Sequence, residues 1–440
     1  MNIKKDFPIF TTHPNLVYLD STATSQKPSY VIDGVAEYLS SSYSNIHRGS
    51  YEISEISEKL YEDSKKIVAK NIGAESWEEV IYTTNSTYAL NVLSQSIWRT
   101  GLLKKWDKIL VSIVEHHANV VPWMILAEDY GVKVEFININ TDYSLDLNDL
   151  ESKLDERVKI VSLTHVANTT GQIFELEKVW EILKDRSHKT GLEKPLFIVD
   201  ASQSVPHFQV DLKKIGCDAL FFTGHKIFAD SGIGVLWAKR ELLHSLKPIF
   251  SGWGAIWYVT QEEFTHSEKL PDKFEPGTPN LSWAVSLLKA FEYVEQIGGY
   301  KMLEKIEQEL VEYALEKFEK INPPILNSFS PGEKEAAVSS LPRGENWEGE
   351  RWRVQLIWWT NSKSRVGVFT FYVEGIHSFD ISDYLADNDI AIRAGQHCAE
   401  PFMQYEWQKH TCRISLHIYN TREDIDKFFD VLNKAITELQ

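Results

Sequence analysis

At 440 residues, with 43% hydrophobic and 25% charged residues, the chain has the make-up of an ordinary globular protein, able to bury a large core in two or three structural units. Its formal net charge of −17 argues against nucleic-acid or anionic-membrane partners, which need concentrated Lys and Arg. Three cysteines, Cys217, Cys398 and Cys412, none in a C-x-x-C arrangement, speak against a disulfide framework or a structural zinc and fit a reducing compartment. At the N-terminus no apolar segment follows Lys4 and Lys5, and no run approaches the roughly 18 apolar residues of a membrane span. The expectation is a cytoplasmic protein with no signal peptide.

Residues 1–15 read as a leader into a strand at Val17–Leu19. The turn-rich Asp20–Ser25 either lies near a site or caps the next helix, expected over Ser29–Ser40. Asn45–Gly49 is polar loop carrying His47 and Arg48. Ile53, Ile56, Leu60, Ile67 and Val68 then recur at helical spacing and predict a long amphipathic helix. Apolar runs follow at Val80–Thr83, Lys108–Ser112, Val132–Ile137, Val158–Leu163, Leu196–Val199 and Ala219–Phe222, with helical stretches in most of the gaps. Such alternation predicts a mostly parallel sheet covered on both faces, with ligands beyond the carboxyl ends of its strands.

Those ends carry complementary groups. Thr84-Asn85-Ser86-Thr87 opens a helix, and hydroxyls with free N–H groups at a helix N-terminus suit a phosphate; a plain N-cap is the commoner use. Glu115-His116-His117-Ala118-Asn119 offers a ring that could stack on a planar ligand or cap a helix. His165–Gly171 places the Asn168 amide at a third end. Most telling, Asp200 closes one strand and is followed by Gln203, and Thr223-Gly224-His225-Lys226 closes the next. A lysine amine that can hold an aldehyde, with an acid to keep a pyridine nitrogen protonated, is the pairing that pyridoxal phosphate needs. Taken singly, each is also an ordinary strand-end residue.

Gly232–Leu236 resumes strand character, and Gly277-Thr278-Pro279-Asn280 is a rigid turn with one hydroxyl, that of Thr278. Leu288–Phe318 reads as helices, Asn322-Pro323-Pro324 breaks the chain, and Trp347–Trp359 is a Trp-heavy run read as an added hairpin or loop. Val366, Val368, Phe369 and Phe371 give a strand. Arg393–Ala399 is a small-residue loop in which cations flank Cys398, which makes that thiol either a nucleophile or a buried, inert one. Arg413 lies in a strand-like Cys412–Ile418. Thr421 and Asp424 form a capping-box pattern before a last amphipathic helix.

As a set, Ile46–Gly49, Glu115–Asn119, Thr164–Val166 with Asn168, Asp200 with Gln203, Gly224–Lys226, Gly277–Asn280 and Arg393–Cys398 resemble the cysteine desulfurases of the class-V aminotransferase group, in their SufS-like branch. The likeness runs from about Tyr18 to Leu432, interrupted near Asn327–Arg365. It implies an α/β fold of the pyridoxal-phosphate fold type I: a mostly parallel central sheet with helices on both faces in a large domain (16–285), and a smaller α+β C-terminal domain (286–440) with the Trp-rich insertion at about 327–365. It further implies that Lys226 holds the cofactor and moves the substrate's α-proton. Asp200 pairs with the ring nitrogen, His116 stacks on the ring, and Asn168 and Gln203 face the ring oxygen. Ser86, Thr87, Thr223 and His225 hold the phosphate, with Thr278 reaching in from a second subunit of a homodimer. Arg413 and Arg393 clamp the substrate carboxylate, with Asn168 and His47 on the substrate side, and Cys398 takes the substrate's sulfur as a persulfide. The implied substrate is L-cysteine or L-selenocysteine, and the implied partner is a sulfur acceptor of the SufE or SufU type serving iron–sulfur cluster assembly. A selenocysteine lyase, a transaminase-like relative in which Cys398 is incidental, and a non-catalytic sulfur-relay subunit remain alternatives.

Three stretches depart from that family pattern: Thr84-Asn85 where relatives carry Arg-Gly, Gln396 for a common histidine, and Ser251–Gly254 for a glycine-rich stretch. Because asparagine tolerates positive φ next best after glycine, the phosphate seat is expected to survive at Asn85.

Overall fold

The structure is a computed structural model that describes residues 3–47, 49–321, 354–357 and 362–439. The first strand, β1 (Val17–Tyr18), is followed by β2 (Val80–Thr83), β3 (Lys108–Ser112), β4 (Lys133–Ile137), β5 (Val158–Thr164), β6 (Leu196–Asp200), β7 (Ala219–Thr223) and β8 (Gly234–Ala238). From β2 to β8 these build one seven-stranded sheet in the order β2-β8-β7-β6-β5-β3-β4. Only β8 runs against its neighbours in that sheet. The expected mostly parallel sheet is present, with strand ends within about two residues of the predicted ones.

Its strands are apolar on both faces because both faces are covered. Phe197, Val199, Leu220 and Phe222 point into one core cluster, and Ile198, Ala219 and Phe221 into the other. This is the period-2 alternation of a strand, with no polar face left to show in the sequence. Helix Leu281–Gln296 packs on helices Ser29–Ser41 and Glu52–Ile72 over the first cluster.

Beyond the hairpin of β9 (Ile256–Val259) and β10 (Phe264–His266), a four-stranded antiparallel sheet is made of β11 (Val354–Leu356), β12 (Val368–Val373), β14 (Arg393–Gly395) and β15 (Thr411–Ser415). Helices Gly299–Ile321 and Arg422–Glu438 cover it, with Phe318 against Phe369, Phe371 and Phe429. The Thr421/Asp424 capping box is formed as the sequence predicts. β1 pairs with β13 (Ile390–Ala391), and Val17 and Leu19 join this smaller core although they lie near the N-terminus. The expected division after residue 285 falls inside the Leu281–Gln296 helix. Of the Trp347–Trp359 run only 354–357 is described, its first three residues forming β11; the remainder, and Arg48, lie outside the described residues.

The expected amphipathic helix forms over Glu52–Ile72: it buries Ser54, Ser57, Tyr61, Lys65, Val68 and Ile72 and packs Leu60 and Ile67 on the core. Only the expected inward turn of Ile53 and Ile56 is corrected, since both face outwards. The buried Lys65 ammonium is held by the Val80 carbonyl at 2.7 Å and by Glu275 at 2.6 Å, so a cation sits where an apolar stripe was expected. Asn85 needs no positive φ: at φ −172° it is extended and N-caps helix Ser86–Thr100, its side chain accepting the Tyr88 N–H. The close approach is made instead by Gly234 on β8, where an added Cβ would lie 2.3 Å from the Asn85 backbone. Gly234→Ala is therefore expected to cost about 3 kcal/mol of stability. Urea unfolding with an unchanged slope would measure it, and a loss under about 1 kcal/mol would show that the two segments yield.

Among the described residues no helix is long and apolar enough to cross a membrane.

Candidate active site

A cavity of about 900 Å³ lies at the carboxyl ends of β2, β3, β5, β6 and β7, lined on its other side by the loop around β14. The parallel order of those strands turns separate stretches of sequence into one wall. From the β2 end come Ser86 and Thr87, in the first turn of a 15-residue helix whose leading N–H groups have no intrahelical acceptor. His116 enters from β3, Asn168 from β5, Gln203 from the turn after β6, and Thr223, His225 and Lys226 from β7. Arg393, Gln396, Cys398 and Arg413 come from the smaller sheet and its loop. Asp200, buried at the end of β6, lies behind this wall and acts electrostatically on Lys226.

Burial sets the charge states. It lowers the Lys226 amine to about 8, with Asp200 opposing the shift. Burial also raises the Asp200 carboxyl, against hydrogen bonds from Ser202 and the pull of Lys226. His116 is pushed down to about 3 by burial first and Lys226 second, and is neutral. Its Nδ1 accepts the Ala118 N–H at 3.0 Å, which puts the ring proton on Nε2. Beneath it Glu115 is fully buried and raised by burial to about 7, its carboxyl held by Ser112, Asn119 and the Thr164 N–H.

The Cys398 loop is held in place. His397 and Cys398 both have φ near +55°, a conformation that side-chain-bearing residues adopt only when their surroundings impose it. The surroundings here are the Asn168 amide on the His397 carbonyl (2.8 Å), the His117 N–H on the Cys398 carbonyl (2.9 Å), His397 Nε2 with Thr411 Oγ1 (2.9 Å), and the close approach of the His117 ring to the Glu400 carboxylate. Cys398 is exposed to the cavity, whereas Cys217 and Cys412 are buried and their thiols are pushed up by that burial.

Several buried polar atoms around this wall have no partner among the described residues: Thr22 Oγ1, Asn168 Oδ1, Gln203 Oε1 and Thr223 Oγ1. Leaving such atoms unpaired is costly unless a polar ligand satisfies them. The two hydroxyls, and the N–H groups of either amide once it is turned over, can donate to the oxygens of a planar, phosphate-bearing pyridine.

Besides Asp200, two of the candidate residues do not line this cavity within the chain. His47 is exposed, 3.7 Å from Glu58 and beside the Trp253 ring. Thr278 is exposed, and its neighbours Gly277 and Pro279 line a second cavity of about 530 Å³ with Phe250, Trp253 and Tyr88; Tyr88 also lines the first cavity.

Sequence reading left Asp20, Thr22 and Lys27 without a role. Lys27 donates to the Ser25 and His225 carbonyls at 2.7 and 3.0 Å, and the His225 carbonyl also takes the Ser25 N–H and the Thr24 hydroxyl. The peptide preceding Lys226 is thus fixed from the N-terminal segment. The signal in the sequence was the hydroxyl-rich run directly after a strand, and nothing in it says which partner that run meets.

The class-V aminotransferase family model matches residues 17–344 and 351–428. A probable cysteine desulfurase of Halalkalibacterium halodurans is 34% identical over 436 residues, which are 98% of this chain and 97% of that protein. The apo structure of a cysteine desulfurase from Thermococcus onnurineus NA1 is 33% identical, with a TM-score of 0.85, covering 99% of this chain and 98% of the other. The cysteine desulfurase CsdA of Escherichia coli, in its S-sulfonic acid form, is 28% identical with a TM-score of 0.80, covering 100% and 98%.

Proposed function

The chain belongs to the class-V aminotransferase family of pyridoxal-phosphate enzymes, and we propose that it converts L-cysteine to L-alanine, leaving the sulfur as a persulfide on Cys398 for transfer to an acceptor. One observation carries this reading: an exposed thiol on a pinned loop and a lysine of lowered pKa line the same cavity, together with two guanidinium groups. A transaminase-like relative would use the lysine and have no need of the thiol.

The residues divide the work. Lys226 would hold the cofactor's aldehyde and carry the α-proton, for which an amine near neutral pKa is suited. Asp200 would face the ring nitrogen, neutral His116 would lie on the ring, and Asn168 and Gln203 would meet the ring oxygen with their side-chain amides. Ser86, Thr87, Thr223 and His225 would hold the phosphate. When bound, the cofactor supplies the electron sink that labilises bonds at the substrate's carbons. Arg413 and Arg393 would hold the substrate carboxylate and so aim its sulfur at Cys398. The Cys398 thiolate then forms an S–S bond as the carbon–sulfur bond breaks; the electron pair leaves with the carbon fragment, which takes up protons to become alanine.

A homodimer is part of this proposal, with Thr278 and His47 serving a neighbouring subunit's site. Its support is exposed apolar surface: Trp253 beside His47, Phe250 and Trp253 around the cavity of the Thr278 turn, and the β9–β10 hairpin, where Trp257 is 83% exposed. The acceptor is proposed to be of the SufE or SufU type, the pathway iron–sulfur cluster assembly, the branch SufS-like and the setting cytoplasmic.

The test is to incubate the purified protein with L-cysteine, quantify alanine, and weigh the Cys398 peptide. Alanine with one added sulfur atom on that peptide is the expected result. Absence of alanine from a protein that carries the cofactor on Lys226 would overturn it.

A further inference from the structure

The cations that would hold the substrate are already engaged by an internal anion. Asp20 is fixed by the main chain: the Ser415 N–H donates to the Leu19 carbonyl at 2.7 Å, and the Thr22 N–H donates to Ser415 Oγ at 2.9 Å. From that position its carboxylate accepts two hydrogen bonds from Arg393, from Nε at 3.2 Å and Nη2 at 2.8 Å, and a third from Arg413 Nη2 at 3.5 Å. Arg413 is 3% exposed, and its other terminal nitrogen donates to the Asn168 carbonyl at 3.0 Å. Burial lowers Arg413 to about 10, with Asp20 opposing the shift.

The charges can be counted. Two guanidinium groups and one carboxylate leave one net positive charge at this end of the cavity. Elsewhere in the site Lys226 is set against Asp200. In a partly dehydrated site an unmatched charge is costly, so the net charge of the clamp decides which anions it will take.

Resting on the desulfurase reading, we propose that Asp20 is a specificity-determining residue, which trims a two-arginine clamp to the charge of one amino-acid carboxylate and turns away substrates bearing a second anionic group. A clamp of two free guanidinium groups would instead favour dianions, which a cysteine-processing site must exclude. Asp20 acts through Arg393 and Arg413.

The experiment compares 3-mercaptopropionate with mercaptosuccinate, which differ by one carboxylate, by calorimetric titration of the holoenzyme. In Asp20→Asn, which keeps the shape and removes the charge, affinity for mercaptosuccinate relative to 3-mercaptopropionate rises about tenfold, and Asp20→Glu returns the native ratio. A shift below threefold in the amide variant overturns the proposal and reduces Asp20 to a structural link. Arg393→Gln tests the same count without touching the N-terminal segment: it leaves the clamp neutral and weakens both ligands about tenfold, and unchanged binding overturns the proposal equally. Should the native protein release no alanine from L-cysteine while the ratio still shifts, the activity reading falls and the Asp20 assignment stands.

Discussion

Cys398→Ala is expected to reduce alanine release from L-cysteine by at least about 10³-fold, some 4 kcal/mol of transition-state stabilisation, while the visible absorbance of the bound cofactor stays unchanged. The size of the effect follows from the lack of a substitute. The other two cysteines are buried in the core, with thiols pushed up by burial, and neither lines the cavity. No other residue on that loop is a thiol, and the backbone around Cys398 is held in a left-handed conformation by contacts from Asn168 and His117 that do not involve its side chain. The alanine variant should therefore keep the loop and lose only the sulfur. Steady-state alanine assays with absorption spectra of both proteins decide it; residual turnover above one tenth of native would assign sulfur removal to another group.

The second large effect is at Lys226. Lys226→Ala is expected to remove the covalently held cofactor band and lower turnover by about 10⁴-fold. Lys226→Arg should rescue neither, because a guanidinium does not give up its proton to become a nucleophile. The argument rests on the cavity wall: burial lowers this amine to about 8, so a useful fraction is neutral near physiological pH, which an exposed lysine does not offer. Spectral titration with added pyridoxal phosphate and parallel turnover measurements provide the check. A variant retaining both the band and the turnover would move the cofactor linkage to another amine.

Much of this site was legible because its residues stand at the ends of buried parallel strands, which read as continuous apolar runs. Asp200 ends β6, and Lys226 follows β7 by three residues, so the sequence displays both the strands and what they carry. The Thr421 capping box was legible for the same reason: it is local. What escaped is long-range or one-sided. Asp20 meets Arg393 across 373 positions of sequence, and Glu400 meets His117 across 283, and no periodicity records such pairs. The Glu52–Ile72 helix was legible as an element, but its first turns misled: Ile53 and Ile56 face outward, while serines and a lysine point inward to partners that only the fold supplies. Asn85 misled because backbone tolerance was argued where the true constraint was the contact with Gly234.

The pairing of β1 with β13 has a consequence for the order in which the protein can be made. The segment that anchors the Lys226 turn through Thr24, Ser25 and Lys27 is itself seated on residues 390–391 and 415. During synthesis the N-terminal strand must wait, unpaired, until nearly the whole polypeptide has left the ribosome. Such distant closure is slow compared with local folding, so the large sheet can form well before its lysine and arginines are brought to one mouth. A half-made chain can thus hold a folded sheet before the two sides of the cavity have been brought together.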